Sequence, residues 1–510
     1  MNLKPKETLS ESEVQKGLKY VIGDGLATEA MNALTAGAFM VALALLMGAS
    51  NFQIGVIAAL PTFTNIFQLL AIWLVRKYNN RRAISVYCAL LARLPLIVIG
   101  VMAVFTPSFQ SIQLLIFFLF FYYLFASFAG LSWNAWMKDL VPESILGTYF
   151  SKRAKYSQIM NVSLSILLAI GIDYVKDRFP QSQLSAYGVM YVAGGVIGII
   201  GALILSKAPE PQSFLSKENI FILFKRPLMD PNFRSLLIFN SAWIFALNIA
   251  IPFFSVYMLK TMNLSLSYII LLTIISQLCG IFAVGLWGRF ADKYSNKTII
   301  AIAAPLYILC ILAWCFVGIY TNFISNLILL ILIHIVTGIT TSGINLSLIN
   351  IGLKLAPRQE SIIYLSAKNI ITAFFSSVAP LIGGILADFF TSRRLNITAE
   401  WTDPKLNKVF RLLALHEWNF LFLIGAILAV LSLQFLGRVK EVGEVEKDIV
   451  VKVMRSTIKT SLKDHFIVGN LLSLPEQVWG FVTRKSMVTD QPPTDLRETN
   501  PRDANVKNET

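Results

Sequence analysis

Glu29 and His334, with a few amides and phenols, are the side chains in the long apolar stretches whose chemistry suits proton exchange or solute binding. Glu29 lies a few residues inside the first stretch, and His334 lies in the middle of the tenth. A carboxyl or imidazole group held partly away from water can take up and release a proton near neutral pH. Both are therefore candidates for coupling proton movement to another event. Asn32, Asn65, Tyr123 and Asn248 fall at or near mid-depth of their own stretches. Polar side chains are expensive in hydrocarbon and usually face a cavity, so these four, with His334, are candidates for holding a small solute. Arg93, in the third stretch, fits pairing inside a helix bundle or snorkelling better than binding an anion.

A second group of charges sits in loops. The segment Gly288-Arg-Phe-Ala-Asp-Lys-Tyr-Ser-Asn-Lys297 is a short charged loop between two apolar stretches. Gly288 suits close approach of two helices. Asp292 stands at a helix end, where it can accept hydrogen bonds from the free amides that open the eleventh stretch, whose dipole favours an anion. Arg82, Asp139, Arg153 and Lys297 lie in loops on the same side and complete a candidate gate. A degenerate copy of the loop runs from Trp73 to Arg82, 215 residues earlier, with Lys77 in place of the Asp. Asp139 with Arg82 or Arg153 is the expected substitute there.

The elements that must position these groups follow from composition. The 510 residues are 55% hydrophobic and only 14% charged, against about a quarter charged in a soluble protein. Twelve stretches long enough to cross a bilayer lie near 26–48, 53–75, 83–105, 111–136, 157–175, 186–206, 235–259, 266–287, 298–319, 323–348, 362–387 and 418–437. The first 25 residues are polar and form no cleavable signal. Lys and Arg crowd the loops after stretches 2, 4, 8 and 10 and are absent after 1, 3 and 9, so both termini are expected in the cytoplasm. The loop after stretch 11 breaks the trend with Arg393, Arg394, Lys405, Lys408 and Arg411, but it is long and also acidic and weighs less. The net charge of +15 belongs to those loops and does not point to nucleic acid. The four cysteines all lie in apolar stretches and form no disulfide or metal pattern.

One offset of 215 residues relates more than the two loops. It carries Asp139 onto Lys354, Tyr149 onto Tyr364, Arg153 onto Lys368 and Asp173 onto Asp388. A constant register across several loops is what two parallel repeats give. The expected fold is therefore an all-α polytopic membrane protein with 12 transmembrane helices in two pseudo-symmetric six-helix bundles, residues 26–206 and 235–437. A polar N-terminal segment (1–25), a linker with a short amphipathic helix (207–234) and a C-terminal tail (438–510) complete the chain. The tail shows amphipathic stretches suited to a membrane surface or a partner, then a polar end. Between stretches 11 and 12, Leu406, Val409, Phe410 and Leu413 at helical spacing suggest a helix lying at the outer interface.

The Gly288 loop resembles the signature of the major facilitator superfamily of transporters. Gly288, Asp292, Lys293 and Lys297 fit that pattern, whereas Ser295 and Asn296 stand where the family prefers Gly and Arg. The segments Ser132–Pro142, Pro227–Arg234 and Pro252–Tyr257 resemble prokaryotic members. The resemblance covers all twelve stretches. It implies a cavity lined by stretches 1, 4, 7 and 10 and flanked by 2, 5, 8 and 11. It also implies secondary active transport of a small organic solute by alternating access, powered by an ion gradient, with protons expected, in a monomer of the plasma membrane. A facilitator remains open at this stage. Without a phosphate-binding Gly-x-x-x-x-Gly-Lys-Ser/Thr loop, nothing points to a self-powered pump. With three histidines in the chain and no clustered His or Asp, nothing points to an enzyme or a cofactor. The rival reading is a non-transporting sensor or assembly partner that uses the same fold, with the tail as its output.

Overall fold

A computed structural model describes residues 4–105, 111–212, 220–318, 322–357, 360–403 and 406–441. The C-terminal tail beyond 441 lies outside the described residues. Among the described residues, twelve spans are long and apolar enough to cross a membrane. The N-terminal six are Glu11–Leu46, Asn51–Tyr78, Arg81–Phe105, Ile112–Leu140, Glu143–Arg178 and Pro180–Leu205. The C-terminal six are Pro231–Thr261, Leu266–Lys293, Asn296–Phe316, Phe323–Leu355, Ile363–Phe390 and Trp418–Leu436. They are numbered spans 1 to 12 below. These form the two six-helix bundles of the expected fold.

Local chemistry sets where several spans begin. Ser10 and Glu13 form a reciprocal capping box, so span 1 starts at Glu11 and the polar residues before position 26 are mostly its first turns. Ser50 and Gln53 do the same for span 2. Asp230 caps span 7, with Pro231 in the first turn, where a missing N–H is harmless. Asn322 caps span 10.

Two spans are broken at mid-membrane. Gly37, at φ +64°, separates helix Glu11–Thr35 from helix Ala38–Leu46 within span 1. That left-handed conformation suits glycine and strains other residues. In span 2, Ile66 and Phe67 form a turn between helices Asn51–Asn65 and Gln68–Tyr78.

The segment after span 11 differs from the expected interfacial helix. Arg394–Asp403 (β1) and Leu406–His416 (β2) pair as an antiparallel hairpin. Pairing with β1 supplies β2 with backbone hydrogen bonds, and spacing within ten residues does not separate strand from helix. In the linker, Ile220–Met229 is helical, and Arg226 at its end pairs with Glu360.

Candidate functional site

Toward the end opposite the basic loops, a cavity lined from both bundles carries Asp173, Lys176 and Lys260. At mid-depth, two further cavities lie between the bundles and share Ile251 in their linings. The first of these two, about 470 Å³, is built from spans 1, 2, 5, 7 and 8 and includes Asn32, Gly37, Asn161, Ser255, Thr273 and Gln277. The second, also about 470 Å³, is built mainly from spans 2, 7, 10 and 11 and includes Asn65, Gln68, Asn248, Asn345, Asn369 and Thr372. The break in span 1 opens on the first cavity, and the residues flanking the break in span 2 line the second. Irregular backbone at membrane depth is tolerated where it lines a cavity.

The structure therefore brings three of the expected solute residues to a cavity: Asn32 to the first, Asn65 and Asn248 to the second. Asn65 Oδ1 accepts from Gln68 Nε2 at 3.1 Å and from Ser127 Oγ at 3.0 Å, and among the described residues no hydrogen bond engages its NH₂ group. Asn248 Nδ2 donates to the Ile244 carbonyl at 2.8 Å, leaving its oxygen as an acceptor. Tyr123 stands one residue behind the lining: its hydroxyl meets the Met40 sulfur at 3.6 Å, and Met40 lines the first cavity. His334 is in neither lining. Its Nδ1 lies 2.8 Å from the Leu330 carbonyl one turn earlier, and its ring rests on Trp314 at 5.8 Å, so it is satisfied within its own bundle. Glu29 is half-buried behind the first cavity, where Asn161 Nδ2 donates to it at 3.4 Å.

The gate residues divide in the same way. Asp139 pairs with Arg81, rather than with the expected Arg82 or Arg153. Arg82 donates its backbone N–H to Glu210 at 3.0 Å and its guanidinium to the Ser206 carbonyl. Arg153 lies over Trp133, 4.8 Å from the ring centre. Glu441 plays the part of Glu210 in the second half, accepting from Asn296 Nδ2 and Lys297 N at 2.8 Å and from Lys354 Nζ at 2.9 Å. Burial alone would raise the Glu441 carboxyl, but these hydrogen bonds outweigh it and hold it below its ordinary value. Asp292 is exposed, and among the described residues no hydrogen bond or ion pair engages its carboxylate. Nor is Gly288 a point of close helix contact: a Cβ there would meet only Leu346, at 4.0 Å. The tight approaches lie elsewhere. A Cβ on Gly55 would sit 2.2 Å from the Pro380 carbonyl, and one on Gly338 2.0 Å from that of Ser276.

Hydrogen bonds join the bundles at the end opposite the basic loops and at mid-depth. Asp388, closing span 11, accepts the backbone N–H groups of Asn51 and Phe52 at 3.2 and 3.0 Å. Asp173, in the last turns of span 5, accepts those of Leu266 and Ser267 at 3.0 and 2.8 Å, and the Ser267 hydroxyl at 2.5 Å. Each carboxylate thus caps the first turn of a helix in the other bundle. The 215-residue offset carries Asp173 onto Asp388 and also relates the two capped helices, so these latches are twins. Gln158 donates to Gln277 at 2.7 Å at mid-depth. At the basic end, Arg81, Arg82, Asp139 and Lys354 pair within their own halves.

Sequence reasoning missed Asn345 and Asn369, which lie on the basic side of the midpoints of spans 10 and 11. It also missed Asp24, which is 6% exposed and faces Arg93 and Arg153 inside the N-terminal bundle.

Twelve spans in two related bundles around uncharged cavities define a polytopic membrane transporter. The model of the Major Facilitator Superfamily matches residues 26–350 and 236–483, and the chain belongs to that family. No curated protein matches the sequence. Solved structures share the fold at low identity. The nucleoside transporter NupG is 15% identical at TM-score 0.60, over 84% of this chain and 99% of that one. The POT family transporter PepTSo is 11% identical at TM-score 0.59, over 84% of this chain and 98% of that one. A bacterial homologue of the human lysosomal transporter Spinster, inward-facing and unoccupied, is 14% identical at TM-score 0.55, over 75% of this chain and 84% of that one.

Proposed function

We propose that this chain is a secondary active transporter of the plasma membrane that moves a small organic solute by alternating access, with its basic loops and both termini in the cytoplasm. The observation that supports this best is the asymmetry of the contacts between bundles. Uncharged cavities of mixed amide, hydroxyl and apolar lining lie between them at mid-depth, and twin carboxylate caps join them at the end opposite the basic loops. Rocking the bundles would release those caps and close the basic end. Asp292 would then meet the start of span 11, with Arg82, Asp139, Arg153 and Lys297 around it. Each chain encloses its own cavities, which supports a monomeric unit.

Glu29 is the coupling group in this reading. Its hydrogen bond from Asn161, itself in the lining, puts a carboxyl proton one contact away from the solute. His334 takes a structural part. Nucleoside and peptide carriers share this fold, so the cargo has to be argued from the site. The test is accumulation of a broad metabolite mixture by proteoliposomes under an imposed pH gradient. Gradient-driven accumulation that Glu29→Gln converts to passive exchange supports the reading. Absence of any accumulation or exchange contradicts it.

A further inference from the structure

Neither mid-depth cavity lining contains a charged side chain: among the described residues, every lining group is apolar, an amide, a hydroxyl or an aromatic ring. Two charges adjoin the linings, and each is already engaged by a protein group. Lys368 adjoins Asn369, but its Nζ donates to the Leu348 carbonyl at 2.6 Å. Glu29 stands behind Asn161. An ion entering such a site would lose water without meeting a counter-charge, which is costly. Amides and hydroxyls are different, because each offers both donors and acceptors. Asn345 and Asn369 are exposed on the wall of the second cavity, and among the described residues no hydrogen bond engages either side chain. Asn65 has spare donors and Asn248 a spare acceptor. Ile244 and Ile251 give the same cavity an apolar side, backed by the buried rings of Trp243 and Tyr307, 6.3 Å apart between centres. In the first cavity, the N-terminus of helix Ala38–Leu46 presents backbone N–H groups, which suit a carbonyl or hydroxyl oxygen.

We infer that the solute is an uncharged polyhydroxylated compound with one apolar face, held by Asn65, Asn248, Asn345 and Asn369. This rests on the transport reading above and deepens it. Free sugars and nucleosides share that chemistry. The test uses the full chain in nanodiscs, with binding measured for D-glucose and uridine and for charged counterparts of each: D-gluconate, protonated D-glucosamine and uridine monophosphate. We expect glucose or uridine to bind, and which of them binds separates the two sources. The charged counterparts should bind at least about 100-fold more weakly. Asn345→Leu and Asn369→Leu, on cavity-facing positions, should each weaken the neutral ligand about 10-fold. The inference is overturned if a charged member binds as tightly as its neutral counterpart, if neither neutral probe binds, or if both leucine variants bind normally. Uptake of a charged probe by proteoliposomes would overturn it while leaving the transport reading standing. No uptake of any solute would count against both.

Discussion

Removing the twin carboxylate caps should shift the protein away from the conformation described here. Asp388 and Asp173 each hold two backbone N–H groups at the start of a helix in the opposite bundle, at 2.8 to 3.2 Å. An Asn in either place keeps one acceptor oxygen but loses the charge that favours a helix N-terminus. Caps and helix-end charges of this kind are each worth about 1 kcal/mol. Asp173→Asn with Asp388→Asn should therefore cost the closed end about 2 kcal/mol, or roughly a 30-fold shift in the equilibrium. The two sites lie in separate contacts, so their effects should add. The assay places a cysteine at Ser255, on the wall of the first cavity, in a background lacking the four native cysteines. A membrane-impermeant maleimide is then added from the side opposite the basic loops. Faster labelling in the double variant is expected, with each single variant intermediate. Labelling at the parental rate, in protein that still elutes as a single species, would refute the reasoning.

Other perturbations probe the same frame. Gly55→Ala puts a methyl against the Pro380 carbonyl, where no flexible side chain can yield, so it should open the same end and speed the same labelling without altering charge. Arg81 is 2% exposed and pairs with Glu210, which is 1% exposed. Arg81→Met should cost about 3 to 5 kcal/mol by leaving a buried carboxylate unpaired, and adding Glu210→Met should restore most of the lost melting temperature. The folded Glu441 carboxyl lies below its ordinary value, so its contribution is complete above the usual carboxylate range and is lost as pH falls through and below it. The melting temperature of Glu441→Gln should accordingly lie below that of the parent at neutral pH, and the gap should close in acid. A gap that is constant with pH would remove the electrostatic role.

The fold was legible because membrane spans announce themselves by length and apolarity, and because one offset tied Asp173 to Asp388 and Asp139 to Lys354. What those aspartates do was not legible. Asp173 and Asp388 read as markers of register, and only the meeting of spans 5 with 8 and 2 with 11 turns them into helix caps. The site was half legible. Asn32, Asn65 and Asn248 were found by asking for amides at mid-depth. Asn345 and Asn369 escaped that criterion because the second cavity extends toward the basic end. His334 satisfied it and still lies elsewhere, since an imidazole can meet its need with a carbonyl of its own helix. Asp24 was assigned to a polar leader that is in fact the first turns of span 1. The two strands after span 11 were hidden because each is stabilised by pairing with the other, which local periodicity cannot register.

The most direct test of the account is a pair of distances measured by spin labels in lipid, with and without transported solute. One pair, at positions 152 and 293, spans the two bundles at the basic end. The other, at 177 and 393, spans them at the opposite end. Alternating access requires the two distance distributions to change in opposite senses, the basic end closing as the other opens. Distances that stay fixed, or that lengthen together, while the labelled protein still transports would contradict the rocking of two bundles about a central site.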